Sequence, residues 1–348
     1  MEISREIFDQ QRLPRFGNAN PERMRLAFWE WMIRGEGTPP INTKSRLGEL
    51  GLRIEGGKLK SAYGPFRARY AFDIPVNREE GPIWTFDRMG ATNSRLPDGR
   101  VIYIGGEHED FYDPDFYIYN DVVALAPDGR VEIYGYPKEV FPPTDFHSAT
   151  IVGDRVLVIG GLGYKNERRF GRTPVYSLDL ANYCISEIPT SGEMPGWISK
   201  HEASYDPTGI ITFRGGQLVQ EDGVQQRICR NFEEYSLDLK SCTWQRLTNR
   251  NWREFSIRQE EAAFVFEHSP EAEMLLPRGI QYTAVPPRTN EDARFLVAEV
   301  PVSLTICVMH IELIVEGSLP AQLLNQLVEE IRANAEAAVK RPCILKEI

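Results

Sequence analysis

Three glycine pairs set the frame of this chain. They fall at Gly105-Gly106, Gly160-Gly161 and Gly215-Gly216, separated by two intervals of 55 residues. Each pair follows a short apolar run: Val101-Ile102-Tyr103-Ile104, Val156-Leu157-Val158-Ile159 and Ile210-Ile211-Thr212-Phe213. Runs of this length, rich in β-branched residues, read as buried strands. A turn signal precedes each one, at Leu96-Pro97-Asp98-Gly99, Val152-Gly153-Asp154 and Asp206-Pro207-Thr208-Gly209. Another short strand is expected upstream of each turn, around Ala91, Ala149 and Ala203. A third follows each glycine pair, over 120–125, 175–180 and 234–239, and a fourth over 131–134, 184–188 and 243–247. Four strands in a tandem unit of about 50 residues describe a propeller blade.

The units resemble Kelch repeats. The resemblance is carried by Phe146-His147-Ser148-Ala149-Thr150, then Asp154-Arg155-Val156-Leu157-Val158-Ile159-Gly160-Gly161, then Tyr176-Ser177-Leu178-Asp179-Leu180. Trp244 supplies the late aromatic of the third unit, which in such blades packs between neighbours. The first unit has Tyr134 there and the second only Ile188. The resemblance spans about residues 84 to 248. It implies a mainly β fold, a Kelch-like β-propeller with few recognisable blades. Three blades are too few to close a ring, since propellers have about four to eight. A diverged blade around Gly56-Gly57 could add to them, with strands over 69–74 and 83–86. Alternatively, the C-terminal strands or a second subunit in a homo-oligomer would complete it.

Four segments follow from this reading. Residues 1–82 hold an N-terminal helical segment and the possible diverged blade. Residues 83–248 hold the three blades, 249–292 a connecting region, and 293–348 a small C-terminal β-hairpin and helix unit. In the first segment, Asn20-Pro21-Glu22 predicts a helix start, with Asn20 as cap and Pro21 at the first position. Met24, Phe28, Trp31 and Met32 recur at helical spacing, and Gly35 can end it. The aromatic stripe Phe28, Trp29, Trp31 reads as core, or else as a cofactor or peptide groove. Pro270, Pro277, Pro286 and Pro287 mark the connecting region. In the last segment, 295–299 and 303–316 read as strands, with Thr305, Cys307, Met309, Ile311, Leu313 and Val315 on one apolar face. Ser318 is expected to cap a helix running to about Lys340.

Composition narrows the function classes. The net charge is −10 over 348 residues, which argues against nucleic acid or an anionic membrane as partner. No run approaches the roughly 18 apolar residues of a membrane span. The polar N-terminus argues against a secretory signal. Five scattered cysteines without a CxxC pair suggest neither a disulfide framework nor a zinc knuckle. The expected compartment is cytoplasmic.

Motifs for catalysis are missing: there is no P-loop, dinucleotide fingerprint, nucleophile elbow or HExxH. Histidine placement is more informative. In a propeller, the loops after second strands and those leading into first strands share one face. His108 follows the first glycine pair, while His147 and His201 each lead into a first strand. They are candidate ligands for a divalent metal, with Glu109 or Asp145 as base; alternatively they are structural or contact a ligand. Otherwise no cofactor is expected.

Charge supplies the second candidate. The loop at 107–115 is acidic and aromatic, with Glu109, Asp110 and Tyr112. The equivalent loop at 165–172 carries Lys165, Arg168, Arg169 and Arg172. As neighbours on one rim they would pair with each other or form a bipolar surface for a protein or peptide ligand. The expected function is thus a protein- or peptide-binding scaffold using the rim loops. A metal-dependent lyase, isomerase or oxidase at the axial mouth is the alternative.

Overall fold

The computed structural model describes residues 3–34, 54–55, 58–59, 82–110, 113–222, 225–260, 270–308 and 310–348. The fold is mainly β, built from several antiparallel sheets with few helices. It divides into two compact units. One comprises Met1–Val219 with Tyr235–Arg246, and the other Gln220–Glu234 with Leu247–Ile348. Among the described residues, no helix is long and apolar enough to cross a membrane.

Each glycine-pair unit forms one antiparallel sheet. The first contains β1 (Thr92–Arg95), β2 (Val101–Ile104), β3 (Val122–Leu125) and β4 (Val131–Gly135). The second contains β5 (Ser148–Val152), β6 (Arg155–Ile159), β7 (Val175–Asp179) and β8 (Ile185–Glu187). The third contains β9 (Glu202–Asp206), β10 (Ile210–Arg214), β11 (Tyr235–Asp238) and β12 (Thr243–Arg246). The short strands Glu22–Arg23 and Ser191–Gly192 extend the first and third sheets beyond β4 and β12.

The sheets stack face to face, which explains the unbroken apolar runs. Successive side chains of a strand point to opposite faces. In β6, Val156 and Val158 join a core with Ile102, Ile104 and Val122 of the first sheet. Leu157 and Ile159 join another with Ile211, Phe213 and Trp244 of the third. A strand buried on both faces therefore reads as continuously apolar. Trp244 lies 4.8 Å from Phe213.

The glycine pairs have a second cause besides turning. Gly106 and Gly161 donate their N–H to the carbonyls of Thr144 and Ile198, both at 2.8 Å. These carbonyls belong to the segment leading into the next sheet. A Cβ on Gly105 or Gly160 would overlap the same oxygens, and both residues have positive φ, 56° and 70°. At Gly215 a Cβ would meet nothing within 4 Å.

The N-terminal segment and the stretch after it correct two expectations. No helix begins at Asn20. Its side-chain amide instead donates to Ile185 O at 2.7 Å and accepts from Ile185 N at 2.9 Å, extending the ladder of β8. Glu22–Arg23 then pairs with β4. The helices are α1 (Arg5–Gln11) and α2 (Ala27–Arg34). The stripe Phe28, Trp29, Trp31 is buried core with Phe8, Trp84 and Tyr119, and Trp29 stacks on Trp84 at 4.6 Å. Residues 83–86 form no strand. Gly35, Gly56-Gly57 and 69–74 lie outside the described residues, although 54–55 and 58–59 pair as a hairpin.

The second unit corrects three more. The connecting region contains β13 (Arg253–Gln259), an interior strand of a six-stranded sheet, and β14 (Thr283–Val285). The others are β15 (Ala293–Val297), β16 (Val300–Ile306), β17 (Ile311–Val315) and β18 (Cys343–Glu347), in the order β14-β15-β16-β17-β13-β18. The run 303–316 is thus broken by a turn, and parity flips across it. Val302 and Leu304 share the core with Ile311, Leu313 and Val315, while Thr305 and Cys307 do not. The final helices are α3 (Ala272–Leu275) and α4 (Ala321–Val339). Pro320, not Ser318, precedes α4, and Leu324, Leu327, Val328 and Ile331 bury against the sheet.

Candidate functional site

The segments leading into β5 and β9 have the same construction. Phe146 and Lys200 hold φ of 51° and 57°, and Gly90, at the matching place before β1, holds 65°. These left-handed residues are linked in series: Phe146 N–H donates to Gly90 O and Lys200 N–H to Phe146 O, each at 2.8 Å. The residue after each left-handed position is Ala91, His147 and His201. His147 Nε2 lies 2.8 Å from Thr92 Oγ1, and His201 Nε2 lies 2.9 Å from Ser148 Oγ. Each histidine therefore reaches back to the first residue of the preceding sheet. Burial holds both neutral, pushing His147 down to about 3 and His201 to about 4; His201 adds to the effect on His147.

The expected three-histidine set is not brought together. His147 and His201 are each engaged by a hydroxyl, and His108 sits elsewhere, paired across a hairpin with Tyr117 and facing Asp87. Among the described residues, no group of three or more His, Cys, Asp or Glu could hold a metal ion. The side chains of Glu109 and Asp110, and all of Tyr112, lie outside the described residues.

Asp145 lies in the segment leading into β5. It is fully buried, and its Oδ1 accepts the Gly163 N–H at 2.6 Å. Burial raises its carboxyl, while the Gly163 bond, a hydrogen bond with buried Glu107 and the charge of Arg168 oppose that rise. Arg168 sits on the opposite side of the Leu162-Gly163 loop, donating to Leu162 O at 3.0 Å and Gly163 O at 3.1 Å. Trp197 Nε1 also donates to Leu162 O, at 2.9 Å.

Beside that loop lies a cleft of about 530 Å³. This volume falls in the range of about 300–1,000 Å³ usual for ligand sites. Arg168, Arg169 and Arg172 line it, with Lys138 contributed by the stretch between the first two sheets. Trp197, Tyr176 and Pro143 provide apolar wall. Lys138 pairs with Glu167, and Arg172 with Glu187. Arg169 is exposed and makes no ion pair among the described residues. Lys165 opens the short turn Lys165–Glu167 but does not line the cleft. Tyr164 ties this loop to the acidic one: its hydroxyl accepts the Ile118 N–H at 2.8 Å, and its ring meets Phe116 edge-on.

The charged loop is visible in the sequence, whereas Lys138 and Trp197 carry no local signal and Tyr176 shows there only as part of the repeat. They come from three other stretches, and no local spacing links them to the arginines.

No family model matches the chain, and no curated protein matches it. A solved structure described as "Structure of YjhT" aligns with a TM-score of 0.35 and 15% identity, over 47% of this chain and 54% of its own. The chain thus spans about half the length of that structure.

Proposed function

We propose that this chain is a Kelch-like propeller scaffold whose rim loops bind a protein or peptide partner. The repeated lead-in geometry supports the architecture: three left-handed residues joined in series and sheets stacked through shared cores. The observation that carries the function is the rim cleft, which combines cations with aromatic wall on rigidly held loops. Exposed Lys165, Arg169 and Arg172 can be reversed without disturbing a core. The test is an affinity pulldown from the native extract with wild type and with K165E/R169E/R172E. The proteins recovered by the wild type should fall by about tenfold or more with the variant. Equal recovery by both would overturn the rim as the binding face.

A further inference from the structure

The cleft has an uneven charge arrangement. Three of its four cations are already engaged. Lys138 and Arg172 pair with Glu167 and Glu187, and Arg168 is bonded to loop carbonyls. Exposed pairs of this kind are individually worth about 0–1 kcal/mol. A ligand carboxylate can therefore exchange with Glu187 at Arg172 with small net loss. Arg169 offers a guanidinium fork unclaimed by any carboxylate among the described residues, and such forks match planar carboxylates in two-point contact.

The anions of the cleft discriminate between polyanions. Glu139, Glu167 and Glu187 also line it. A nucleic acid, with a charge at every step, would run onto these carboxylates. An extended peptide can place acids at Arg169 and Arg172 and other residues elsewhere. Trp197, Tyr176 and Pro143 give an apolar side chain somewhere to go, which free phosphate would leave unused.

We propose that the cleft binds an extended acidic segment of a partner protein. One ligand carboxylate lies on Arg169, a second competes with Glu187 for Arg172, and an apolar ligand side chain rests against Trp197 and Tyr176. This assignment rests on the scaffold reading above and specifies its ligand chemistry.

The experiment uses the full chain and a phage-displayed library of random dodecapeptides, with heat-denatured protein as control. Enriched sequences should be acidic and carry an aromatic or aliphatic residue. A fluorescein-labelled enriched peptide should lose about tenfold or more in affinity with Arg169→Glu and a smaller factor with Arg169→Lys, which keeps charge but loses the fork. Arg130→Glu, an exposed change outside the cleft, should leave affinity unchanged. Affinity should also fall as salt rises. Enrichment of neutral or basic peptides, or indifference to Arg169→Glu, overturns the acidic-segment assignment and leaves the scaffold intact. Tighter binding of a twelve-nucleotide single strand or of inorganic phosphate overturns it as well. No enrichment above the denatured control overturns both this assignment and the scaffold reading.

Discussion

His147 and His201, which the sequence offers as metal-ligand candidates, structural residues or ligand contacts, act as fasteners between sheets. Each imidazole bridges from its own sheet to a hydroxyl at the start of the one before. Because burial lowers the folded-state pKa, the unfolded chain binds protons more readily below the ordinary value of about 6.5. Stability from these residues is full above that pH and is lost as pH falls towards the folded values. For His147 alone, the loss between pH 6.5 and 5 is about 2 kcal/mol. His147→Phe should flatten this part of the profile in urea titrations at pH 5 and 7. A variant with the wild-type slope would show that His147 does not carry it. Arg88 is a second fastener. It pairs with Asp121 while its guanidinium lies 3.4 Å from the Tyr119 ring centroid, with both partners' side chains almost fully buried. Trp84 Nε1 bonds the same carboxylate at 2.9 Å. Arg88→Ala leaves that charge without its partner and should cost about 3–5 kcal/mol, measured by chemical denaturation.

At the scale of elements, β13 and β17 place two acids on the sheet face opposite α4. Ser256 stands across from Glu312 and Glu254 across from Ile314, so the two glutamates are diagonal neighbours. Arg230 donates to Glu312 at 2.5 Å. Burial, then the hydrogen bond and charge of Glu312, raise Glu254 to about 7, with Arg230 opposing. A raised acid pKa means the folded unit holds more protons than the unfolded chain between about 4.5 and 7. Stability is full below that window and falls as pH rises through it. Glu254→Gln should therefore raise the melting temperature at pH 8 by a few degrees, about 2–6 °C, and abolish the decline. A decline that persists in the variant would place its origin elsewhere. None of this could be read beforehand, because β13 was hidden among segments dominated by prolines. The twelve strands of the three sheets were legible because turn signals, short apolar runs and glycine pairs recur at a fixed spacing; some of them, such as Val156–Ile159, are buried on both faces, whereas first strands such as Glu202–Asp206 are not. The false helix start at Asn20 shows the opposite case. Its cap-like amide serves Ile185, 165 residues away, and only tertiary structure makes that pairing. The site divides likewise: a local charge run announced the 165–172 loop, but its walls are assembled by the fold.

At the scale of the molecule, these two titrations run in opposite directions in separate cores. The first unit holds His147 and His201 beside the stacked sheets; the second holds Glu254 on a sheet whose core involves α4. Between pH 5 and 7 the acids lowered by ion pairs, such as Glu22 or Glu316, are ionised in both folded and unfolded chains and contribute no slope. The groups that do contribute are those whose folded or unfolded values bracket this interval. In the first unit the two histidines, lowered by burial, give a gain of stability with pH, and Asp145, raised by burial, acts in the opposite sense. Glu254 gives a net loss in the second. Hydrogen exchange read by mass spectrometry at pH 5 and 7, corrected for the intrinsic rate, resolves the units by peptide. Protection of β6 should increase on going to pH 7, and protection of α4 should decrease. His147→Phe should flatten only the first response and Glu254→Gln only the second. If both segments moved the same way, or if one substitution flattened both, the opposed titrations would not be the source, because each rests on groups within a single unit.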